Sequence, residues 1–158
     1  MGKVVSREEL VSIRRRLKAE RRSVVFTNGC FDILHRGHVD YLSKARAMGD
    51  VLVVGLNTDA SVRRLKGPSR PVVDQDDRAV VMAALAVVDY VCLFSEDTPL
   101  ELITAIVPDV LVKGADWPID KVVGREVVES AGGRVQAIEF VPDRSTTSII
   151  DRIRSSGR

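Results

Sequence analysis

Five short apolar runs recur along the chain, separated by segments in which polar and apolar residues are mixed. The runs are SVVFTN, DVLVVGLN, YVCLF, DVLVKG and VQAIEF. Continuous runs of this length, rich in Val, Ile, Leu and Phe, are typical of parallel strands that helices cover on both faces. The pattern therefore predicts five buried strands.

The segment before the first strand has the pattern of an amphipathic helix. In SREELVSIRRRLKAERR, Ser6 precedes Glu9 by three positions, which is the spacing of a capping box. Leu10, Ile13 and Leu17 then follow at helical spacing. We therefore expect an N-terminal helix within residues 1–22, followed by a core of residues 23–158.

Segments with helix signals lie between and after the strands. They are GHVDYLSKARAMG, DQDDRAVVMAALAV, TPLELITAIV, DKVVGREVVESAGG and STTSIIDRIR. An alternation of strands and helices indicates parallel pairing through right-handed crossovers. The predicted fold class is α/β, with a doubly wound five-stranded parallel sheet in a single domain of residues 1–158.

Composition and charge argue against several classes of function. The chain has 158 residues and a net charge of +2, with interspersed signs, which gives no case for a nucleic-acid or membrane surface. No window has the roughly 18 apolar residues of a membrane span, and residues 1–20 show no leader pattern, so we expect a cytoplasmic protein. Cys30 and Cys92 lie in apolar contexts and are expected to be buried thiols.

The stretch TNGCFDILHRGH, residues 27–38, concentrates residues that can do chemistry. It runs from the end of the first predicted strand into a helix, which is where open parallel sheets bind ligands. His35 and His38 could belong to a zinc site, but the chain has no further histidine to complete it. No nucleophile elbow or activated cysteine–histidine pair is evident. The remaining interpretation, a cradle for phosphates, uses the glycines, the helix N-terminus and both imidazoles.

Two motifs, in this order, resemble the signatures of the cytidylyltransferase-like nucleotidyltransferases. GCFDILHRGH is similar to their GxFDxxHxGH signature. DRSTTSII, near the end, resembles their second signature, a Ser/Thr–Thr pair that opens the last helix. The resemblance covers essentially the whole chain and implies a Rossmann-like nucleotidyltransferase fold.

Further segments narrow the resemblance within this family. NTDASVRRLKGPSRPV, the DDR of residues 76–78, EDTP and DVLVKGADW resemble the adenylyltransferases that act on D-glycero-β-D-manno-heptose 1-phosphate. In many bacteria that activity is the C-terminal half of a bifunctional enzyme with a sugar kinase, and this chain resembles the stand-alone form. Ala115 departs from the pattern because those enzymes have glycine there, and a positive φ would strain alanine.

The resemblance implies roles for individual residues. His35, His38 and Lys66 would bind the nucleotide phosphates and stabilise the transition state. The nucleotide would contact Asn28, Gly29, Cys30, Phe31, Asp32, Gly37, Lys113, Ser145 and Thr146. The sugar phosphate would contact Asp59, Arg78, Asp116 and Trp117.

Structural roles stay open for several of these residues. Asp32 could orient a donor or cap the turn, and Arg78 could form an ion pair on a helix surface. Ser145 and Thr146 would look the same as plain helix caps. Lys66 could be a solvated lysine in the Pro/Gly/basic loop of residues 66–73.

The implied reaction is the attack of a sugar 1-phosphate oxygen on the α-phosphorus of ATP, which expels pyrophosphate. The attacking group is already an anion, so no general base is required, and the site supplies positioning and charge neutralisation. Mg²⁺ is expected with ATP, without a dedicated metal site in the protein. We expect small-molecule substrates and neither a nucleic-acid nor a membrane partner, and the resemblance also implies a homodimer.

Two other functions are compatible with the same motifs. One is a cytidylyltransferase that acts on glycerol 3-phosphate or another small alcohol phosphate, since such enzymes also carry an Asp-Trp at residues 116–117. The other is a nucleotide-binding module without turnover. The intact histidine pair and the STT motif argue against the module.

Overall fold

The computed structural model describes residues 1–115, 118–139 and 145–156. This part of the chain contains six strands and seven α-helices. The strands are β1 (Lys3–Val4), β2 (Val24–Gly29), β3 (Val51–Asn57), β4 (Tyr90–Phe94), β5 (Val110–Gly114) and β6 (Arg134–Ile138). The helices are α1 (Arg7–Ala19), α2 (Arg36–Arg46), α3 (Asp59–Lys66), α4 (Gln75–Ala84), α5 (Leu100–Ile106), α6 (Arg125–Ser130) and α7 (Thr146–Ser156), with a 3-10 turn at Ile119–Lys121.

The six strands pair in parallel in the order β1-β4-β3-β2-β5-β6. From β2 the chain moves through β3 to β4 on one side and then returns to β5 on the other side. β2 and β5 therefore flank the point at which the strand order reverses, where open α/β sheets bind ligands beyond the carboxyl ends. The α/β fold class and the five predicted strands are confirmed.

The prediction of five strands was one too few, because an edge strand precedes α1. β1 pairs Lys3 with Tyr90 and Val4 with Val91 at the edge of the sheet. A strand of two residues is too short to produce an apolar pattern, so the sequence carries no periodic signal for it.

Two apolar layers, one on each face of the sheet, hold the fold together. Val25 and Leu52 pack with α2 and α4 on one face, whereas Phe26 and Val53 pack with α1, α5 and α6 on the other. All four side chains are at most 1% exposed. Because both faces are covered, each central strand is a continuous apolar run, which is why the strands were recognisable in the sequence.

The predicted helices are present, and one of them is interrupted. α1 begins with the expected capping box, in which the Ser6 Oγ accepts from the Glu9 N–H at 3.1 Å and the Glu9 Oε2 accepts from the Ser6 N–H at 2.7 Å. The segment DKVVGREVVESAGG is not one helix, because Gly124 has a φ of +87° between the 3-10 turn and α6. A Cβ at Gly124 would lie 2.7 Å from the Ile103 Cδ1, so the close approach requires glycine.

α3 was not predicted, because it lies inside a segment that was considered only as a motif and a loop. Thr58 caps it by accepting a hydrogen bond from the Ser61 N–H at 3.4 Å. Among the described residues, no helix has both the length and the apolar character needed to cross a membrane. The single-domain organisation stays a prediction.

Asp109 joins the amino end of β2 to α1 and β5. Its Oδ2 accepts a hydrogen bond from the N–H of Val24 at 2.7 Å, and its Oδ1 accepts one from the Arg14 Nη2 at 3.0 Å. Arg14 also donates to the carbonyl of Val107 at 2.9 Å, just after α5. The carboxylate therefore satisfies a strand amide and orients a guanidinium that spans two helices.

We expect Asp109→Ala to lower the free energy of unfolding by about 1–3 kcal/mol, because the buried Val24 N–H loses its acceptor. Urea unfolding followed by circular dichroism measures the loss. Asp109→Asn keeps a neutral acceptor for this N–H and should lose less. Equal midpoints for the alanine variant and the wild type would show that this contact contributes nothing.

Candidate active site

A cavity of about 410 Å³ opens at the carboxyl ends of β2, β3 and β5. Its walls come from the loop after β2, the end of α3, residue 70 and the start of α7. It contains most of the predicted nucleotide-binding residues together with His38 and Lys66. The described lining residues are Asn28, Gly29, Cys30, Phe31, Asp32, His38, Tyr41, Asn57, Leu65, Lys66, Arg70, Lys113, Gly114, Thr146 and Thr147.

The loop between β2 and α2 has an unusual backbone conformation. Phe31 and Ile33 have φ angles of +45° and +53°, in the left-handed region that residues other than glycine rarely adopt. The Phe31 ring packs against Gly29, where an added Cβ would lie 3.0 Å from the ring. Its ring centroid is 5.3 Å from that of His38, in an edge-on arrangement. Strain of this kind persists only where the surroundings fix it, and it concentrates at functional sites.

His35 and His38 form a stacked pair at the start of α2. Their ring centroids are 3.8 Å apart, with an angle of 25° between the planes. His35 is the N-cap of α2, and its Nδ1 accepts a hydrogen bond from the N–H of Gly37 at 3.1 Å. In the neutral ring, this places the proton of His35 on Nε2. Gly37 is buried in this turn, and neither it nor His35 is part of the cavity lining described above.

The surroundings of His38 disfavour its positive charge. Burial, followed by repulsion from His35, lowers the pKa of His38 to about 4. Its Nδ1 is buried and has no hydrogen-bond partner in the described part of the chain. His38 is therefore neutral at pH 7 in the free protein, and an anion bound in the cavity would favour its protonated form.

The carboxylate of Asp32 ties the loop after β2 to residues 70–73. It is buried and accepts hydrogen bonds from the Arg70 Nε at 2.7 Å and from the N–H groups of Val72 and Val73, each at 2.9 Å. Burial alone would raise the pKa of Asp32, but the bonds from Val73, Val72 and Arg70 bring it below its ordinary value. Of the two roles left open by the sequence, this geometry matches the orienting one, with Arg70 as the oriented donor.

The start of α7 forms another wall of the cavity. The Thr146 Oγ1 donates to the backbone carbonyl of Asp32 at 2.8 Å, which fixes the helix against the loop. Ser145 caps the helix, since its Oγ accepts from the N–H of Ser148 at 3.1 Å. Thr146 and Thr147 are lining residues, whereas Ser145 is not among them. The partial positive charge of the helix N-terminus therefore faces the same space as His38.

Three cationic side chains, Lys66, Arg70 and Lys113, line the cavity. Lys66 is the exposed last residue of α3. Lys113 lies on β5, and its Nζ donates to the Oδ1 of Asn28 on β2 at 2.5 Å, across the junction of the two strands. Asp32 is the one carboxylate among the described lining residues, and Arg70 already neutralises it. The cavity therefore suits an anionic ligand.

The thiol of Cys30 lines the cavity without being an activated nucleophile. Burial raises its pKa, and the opposing charges of Lys66, Arg78 and Arg70 do not offset this effect. The thiol therefore stays protonated at neutral pH. Cys92 is buried as predicted, whereas Cys30 is only half-buried.

Arg78 and Asp59, which were expected to contact the sugar, form an ion pair beside the cavity and are not among its described lining residues. The Arg78 Nη2 donates to the Asp59 Oδ1 at 2.7 Å, and the Arg78 side chain is 1% exposed. The same guanidinium donates to the carbonyls of Cys30 at 2.6 Å and Val73 at 2.9 Å. Arg78 therefore has the ion-pair role that the sequence left open, but in a buried position instead of on a helix surface.

The remaining expected sugar contacts, Asp116 and Trp117, lie outside the described residues. Ala115, which precedes them, is not among the residues with positive φ. Its N–H donates to the carbonyl of Ile138 at 2.9 Å, as a continuation of the β5–β6 pairing. Alanine in place of glycine is therefore not strained at this position.

Among the lining residues that were not predicted, three make specific contacts. Tyr41 lies three positions after His38 on α2, and its hydroxyl is 2.7 Å from the hydroxyl of Thr27, so helical spacing could have indicated it. Asn57 is the last residue of β3, where the carboxyl-end rule could have found it. Arg70 had no signal, because only the tertiary fold brings it to Asp32.

A second cavity of about 190 Å³ adjoins the first. The two cavities share Asn28, Asn57, Leu65 and Lys113. Within the described ranges, no three side chains of His, Cys, Asp or Glu come together as a metal site. The smaller cavity is also lined by Asp97, Thr98, Pro99, Lys121, Val122 and Val123.

Comparison with known proteins identifies relatives over the whole of this site. A family model described as cytidylyltransferase-like matches residues 26–153. The bifunctional protein HldE of Trichlorobacter lovleyi is 60% identical over 152 residues, which are 96% of this chain and 31% of that protein. The bifunctional protein HldE of Geobacter sulfurreducens is 59% identical over the same shares of the two chains. The chain thus spans about a third of the length of these relatives.

Solved structures show the same fold. The lipopolysaccharide core biosynthesis protein from Thermoplasma volcanium is 30% identical with a TM-score of 0.62, over 76% of this chain and 97% of that chain. Pantoate-beta-alanine ligase from Francisella tularensis has a TM-score of 0.63 at 16% identity, over 92% of this chain and 69% of that chain. The second likeness concerns the fold alone.

In an NMR titration of the free protein, we expect the ring protons of His38 to shift with a midpoint near pH 4. Since this pKa lies below the ordinary value of 6.5, the unfolded state takes up the proton first. The stability that depends on neutral His38 is therefore complete above pH 6.5 and is lost as the pH falls through 4. His38→Gln assigns the signal, and a midpoint near 6.5 would contradict this description of the pair.

We expect Asp32→Ala to lower the free energy of unfolding by about 3 kcal/mol, because it leaves Arg70 and two backbone N–H groups without their buried acceptor. The matched control is Asp40→Ala, which removes an exposed helical ion pair with Arg36 and should cost about 0.5 kcal/mol or less. Urea unfolding compares the two variants. Equal losses of unfolding free energy in the two variants would show that the Asp32 carboxylate does not hold the loop in place.

Proposed function

Because the chain belongs to the cytidylyltransferase-like family and is a nucleotidyltransferase, we propose that it transfers AMP from ATP to D-glycero-β-D-manno-heptose 1-phosphate. The products are ADP-heptose and pyrophosphate. The observation that carries the proposal is the cavity in which His38, Lys66, Lys113 and the N-terminus of α7 surround one space. This arrangement has the donors and cations that a chain of phosphates requires.

The choice of sugar and nucleotide rests on sequence likeness. The motifs outside the two signatures resemble heptose 1-phosphate adenylyltransferases, and relatives named bifunctional protein HldE are about 60% identical. A solved relative that is 30% identical is named a lipopolysaccharide core biosynthesis protein. These likenesses favour the heptose over glycerol 3-phosphate.

The reaction needs positioning more than acid–base chemistry. An oxygen of the sugar 1-phosphate attacks the α-phosphorus of ATP in line, and the bond from that phosphorus to the bridging oxygen of pyrophosphate breaks. The bridging oxygen leaves with the bonding electrons as part of pyrophosphate, so no proton has to be removed from the nucleophile. The protein's contribution is to hold two anions together and to neutralise the charge of the leaving group.

Different groups of the cavity would bind different parts of the two substrates. Lys113 lies at the wall shared by the two cavities, next to the place where an attacking and an attacked phosphate would meet. The backbone N–H groups at the start of α7 and the histidine pair suit the pyrophosphate end. His38 is neutral in the free protein and can take up a proton as phosphate charge arrives, which strengthens its hydrogen bond in the transition state.

Mg²⁺ belongs in this proposal as a part of the substrate. Among the described lining residues the carboxylate is that of Asp32, and its oxygens already accept from Arg70, Val72 and Val73. The ion would therefore be held by phosphate oxygens and water, which is the usual way in which Mg²⁺ accompanies ATP. It would neutralise charge on the triphosphate.

The proposed activity concerns the domain that aligns with the relatives. Those relatives are about three times as long as the aligned segment and are named bifunctional, and their further activity is not assigned to this chain. The stand-alone form, the homodimer and the cytoplasmic location stay predictions from the sequence.

Pyrophosphate release is expected with ATP and heptose 1-phosphate, and not when CTP or glycerol 3-phosphate replaces either one. His38→Ala and Lys66→Ala should each lower kcat/KM by about 10²–10³, since each removes a donor that lines the cavity. His35→Ala should also lower kcat/KM, because His35 stacks on His38 and caps α2. Lys18→Ala, on the exposed face of α1, is the matched lysine control and should behave as the wild type. Turnover with CTP and glycerol 3-phosphate would assign the cytidylyltransferase activity instead, and ATP binding without turnover would indicate a binding module.

A further inference from the structure

Asn57 is a buried polar residue at the carboxyl end of β3, on the wall that the two cavities share. Its residue surface is 3% exposed, and it lines both the larger and the smaller cavity. Neither the signature motifs nor the histidine pair involves it. A buried amide needs hydrogen-bond partners for both its NH₂ group and its carbonyl oxygen. The partners present in the protein therefore show which of these two groups is available to a ligand.

The neighbours of Asn57 fix which end of its amide faces inward. The Ser61 Oγ donates its single proton to the backbone carbonyl of Glu96 at 3.2 Å. The hydroxyl of Ser61 can therefore only accept from Asn57, which makes the amide atom at 2.9 Å the Nδ2 donor. This chain of two bonds holds the amide in one orientation and leaves the Oδ1 on the other side.

The Oδ1 of Asn57 faces the cavity wall as an acceptor. In the described part of the chain it has no hydrogen-bond partner, and it is not among the fully buried side-chain atoms that lack one. The Oδ1 is therefore accessible from the cavity that Asn57 lines. The three cations that line the larger cavity, Lys66, Arg70 and Lys113, are donors only, so this oxygen differs from them in what it can bind.

A phosphate group cannot form a hydrogen bond with this acceptor. Phosphate oxygens of a nucleotide carry no proton to donate near neutral pH, and a carbonyl oxygen beside them would only repel them. The complementary partner is a hydroxyl or an amino group. The part of the ligand that reaches Asn57 therefore carries a hydroxyl or an amino group and is not a phosphate.

We propose that the Oδ1 of Asn57 accepts a hydrogen bond from a hydroxyl of the acceptor sugar, and that Ser61 is the positioning residue that holds the amide in this orientation. The proposal rests on the proposed function and names a specificity contact for the sugar in the same site. The contact explains why the site would distinguish a polyol phosphate from a bare phosphate.

The sugar is a better occupant of this place than the ribose or base of ATP. The triphosphate of ATP needs the cations and the helix N-terminus of the larger cavity, which come from β5, the end of α3, residue 70 and α7. The cavity of about 190 Å³ extends from Asn57 to Asp97, Thr98 and Lys121 and is left for the smaller ligand. Its polar lining residues and the aliphatic residues Val122 and Val123 suit the hydroxyls and the C–H face of a sugar.

The test compares wild type and Asn57→Ala with heptose 1-phosphate and with its monodeoxy analogues, each lacking one hydroxyl. With the parent sugar, Asn57→Ala should raise KM roughly tenfold with a smaller change in kcat. With the one analogue that lacks the partner hydroxyl, the two proteins should have the same KM. Binding of ATP alone, measured by calorimetry, should change less than twofold. If Asn57→Ala does not fold, Asn57→Ser, which shortens the side chain and keeps a polar group beside Ser61, replaces it.

Ser61→Ala tests the positioning role separately. Without the hydroxyl, the amide of Asn57 can rotate, so KM for the parent sugar should rise by a few-fold while the affinity for ATP stays unchanged. The matched control is Ser12→Ala, which removes an exposed helical hydroxyl that also donates to a backbone carbonyl and should leave both values unchanged. A merely structural role of Ser61 would lower stability without separating the sugar KM from the ATP affinity.

The outcomes separate this proposal from the function on which it rests. If the wild type turns over the heptose but the Asn57 variants keep its KM, or lose affinity for ATP to the same degree, the contact assigned to Asn57 is overturned while the function stands. If the penalty persists with every deoxy analogue, the hydroxyl contact is overturned as well. If the wild type binds ATP but turns over no sugar 1-phosphate, the proposed function fails, and the sugar contact fails with it.

Discussion

The buried carboxylate of Asp32 is the interaction on which the geometry of the candidate active site depends. It accepts hydrogen bonds from Arg70, Val72 and Val73, while its backbone carbonyl accepts one from Thr146. Three segments that are far apart in the sequence therefore meet at one residue. A buried charge is tolerated here because every partner is a donor, and the same bonds keep the carboxyl ionised, with its pKa below the ordinary value despite its burial.

The cavity formed in this way combines fixed positive charge with one group that can change its charge. Arg70 is largely occupied by Asp32, whereas Lys66 and Lys113 add positive charge to the wall. His38 stays neutral because it is buried and stacked on His35. An uncharged imidazole with an unpartnered Nδ1 is costly to bury, which is understandable if a ligand completes it. The strained φ angles of Phe31 and Ile33 in the same loop fit this interpretation.

The sequence predicted the layers of the fold and the location of the site, because both depend on local patterns. Apolar runs identified β2 to β6, and the signature around His38 identified the loop where strand order reverses. β1 was not predicted because two residues are too few to show a periodic pattern. The break at Gly124 depends on the distance to Ile103, which belongs to another helix. Local patterns contain neither kind of information.

Individual roles were harder to predict than positions, because a charged side chain looks the same in sequence whether it meets a ligand or the protein. Arg78 was a candidate for the sugar phosphate, yet its donors are bound to Asp59 and to the carbonyls of Cys30 and Val73. Asn57 was overlooked, although the chain of bonds through Ser61 leaves its carbonyl oxygen toward the cavity. Only tertiary contacts decide which polar atoms remain available to a ligand.

We propose that the loop after β2, the shared cavity wall and the start of α7 form one binding site for a nucleoside triphosphate. The most direct test is to map backbone amide shifts by NMR while a non-hydrolysable ATP analogue is added with Mg²⁺. We predict saturable shifts at Gly29, His38, Lys113 and Thr147 and none at Val24 and Leu52, which lie at the amino end of the sheet. Saturable shifts confined to the amino end, or no saturable shifts at all, would contradict it.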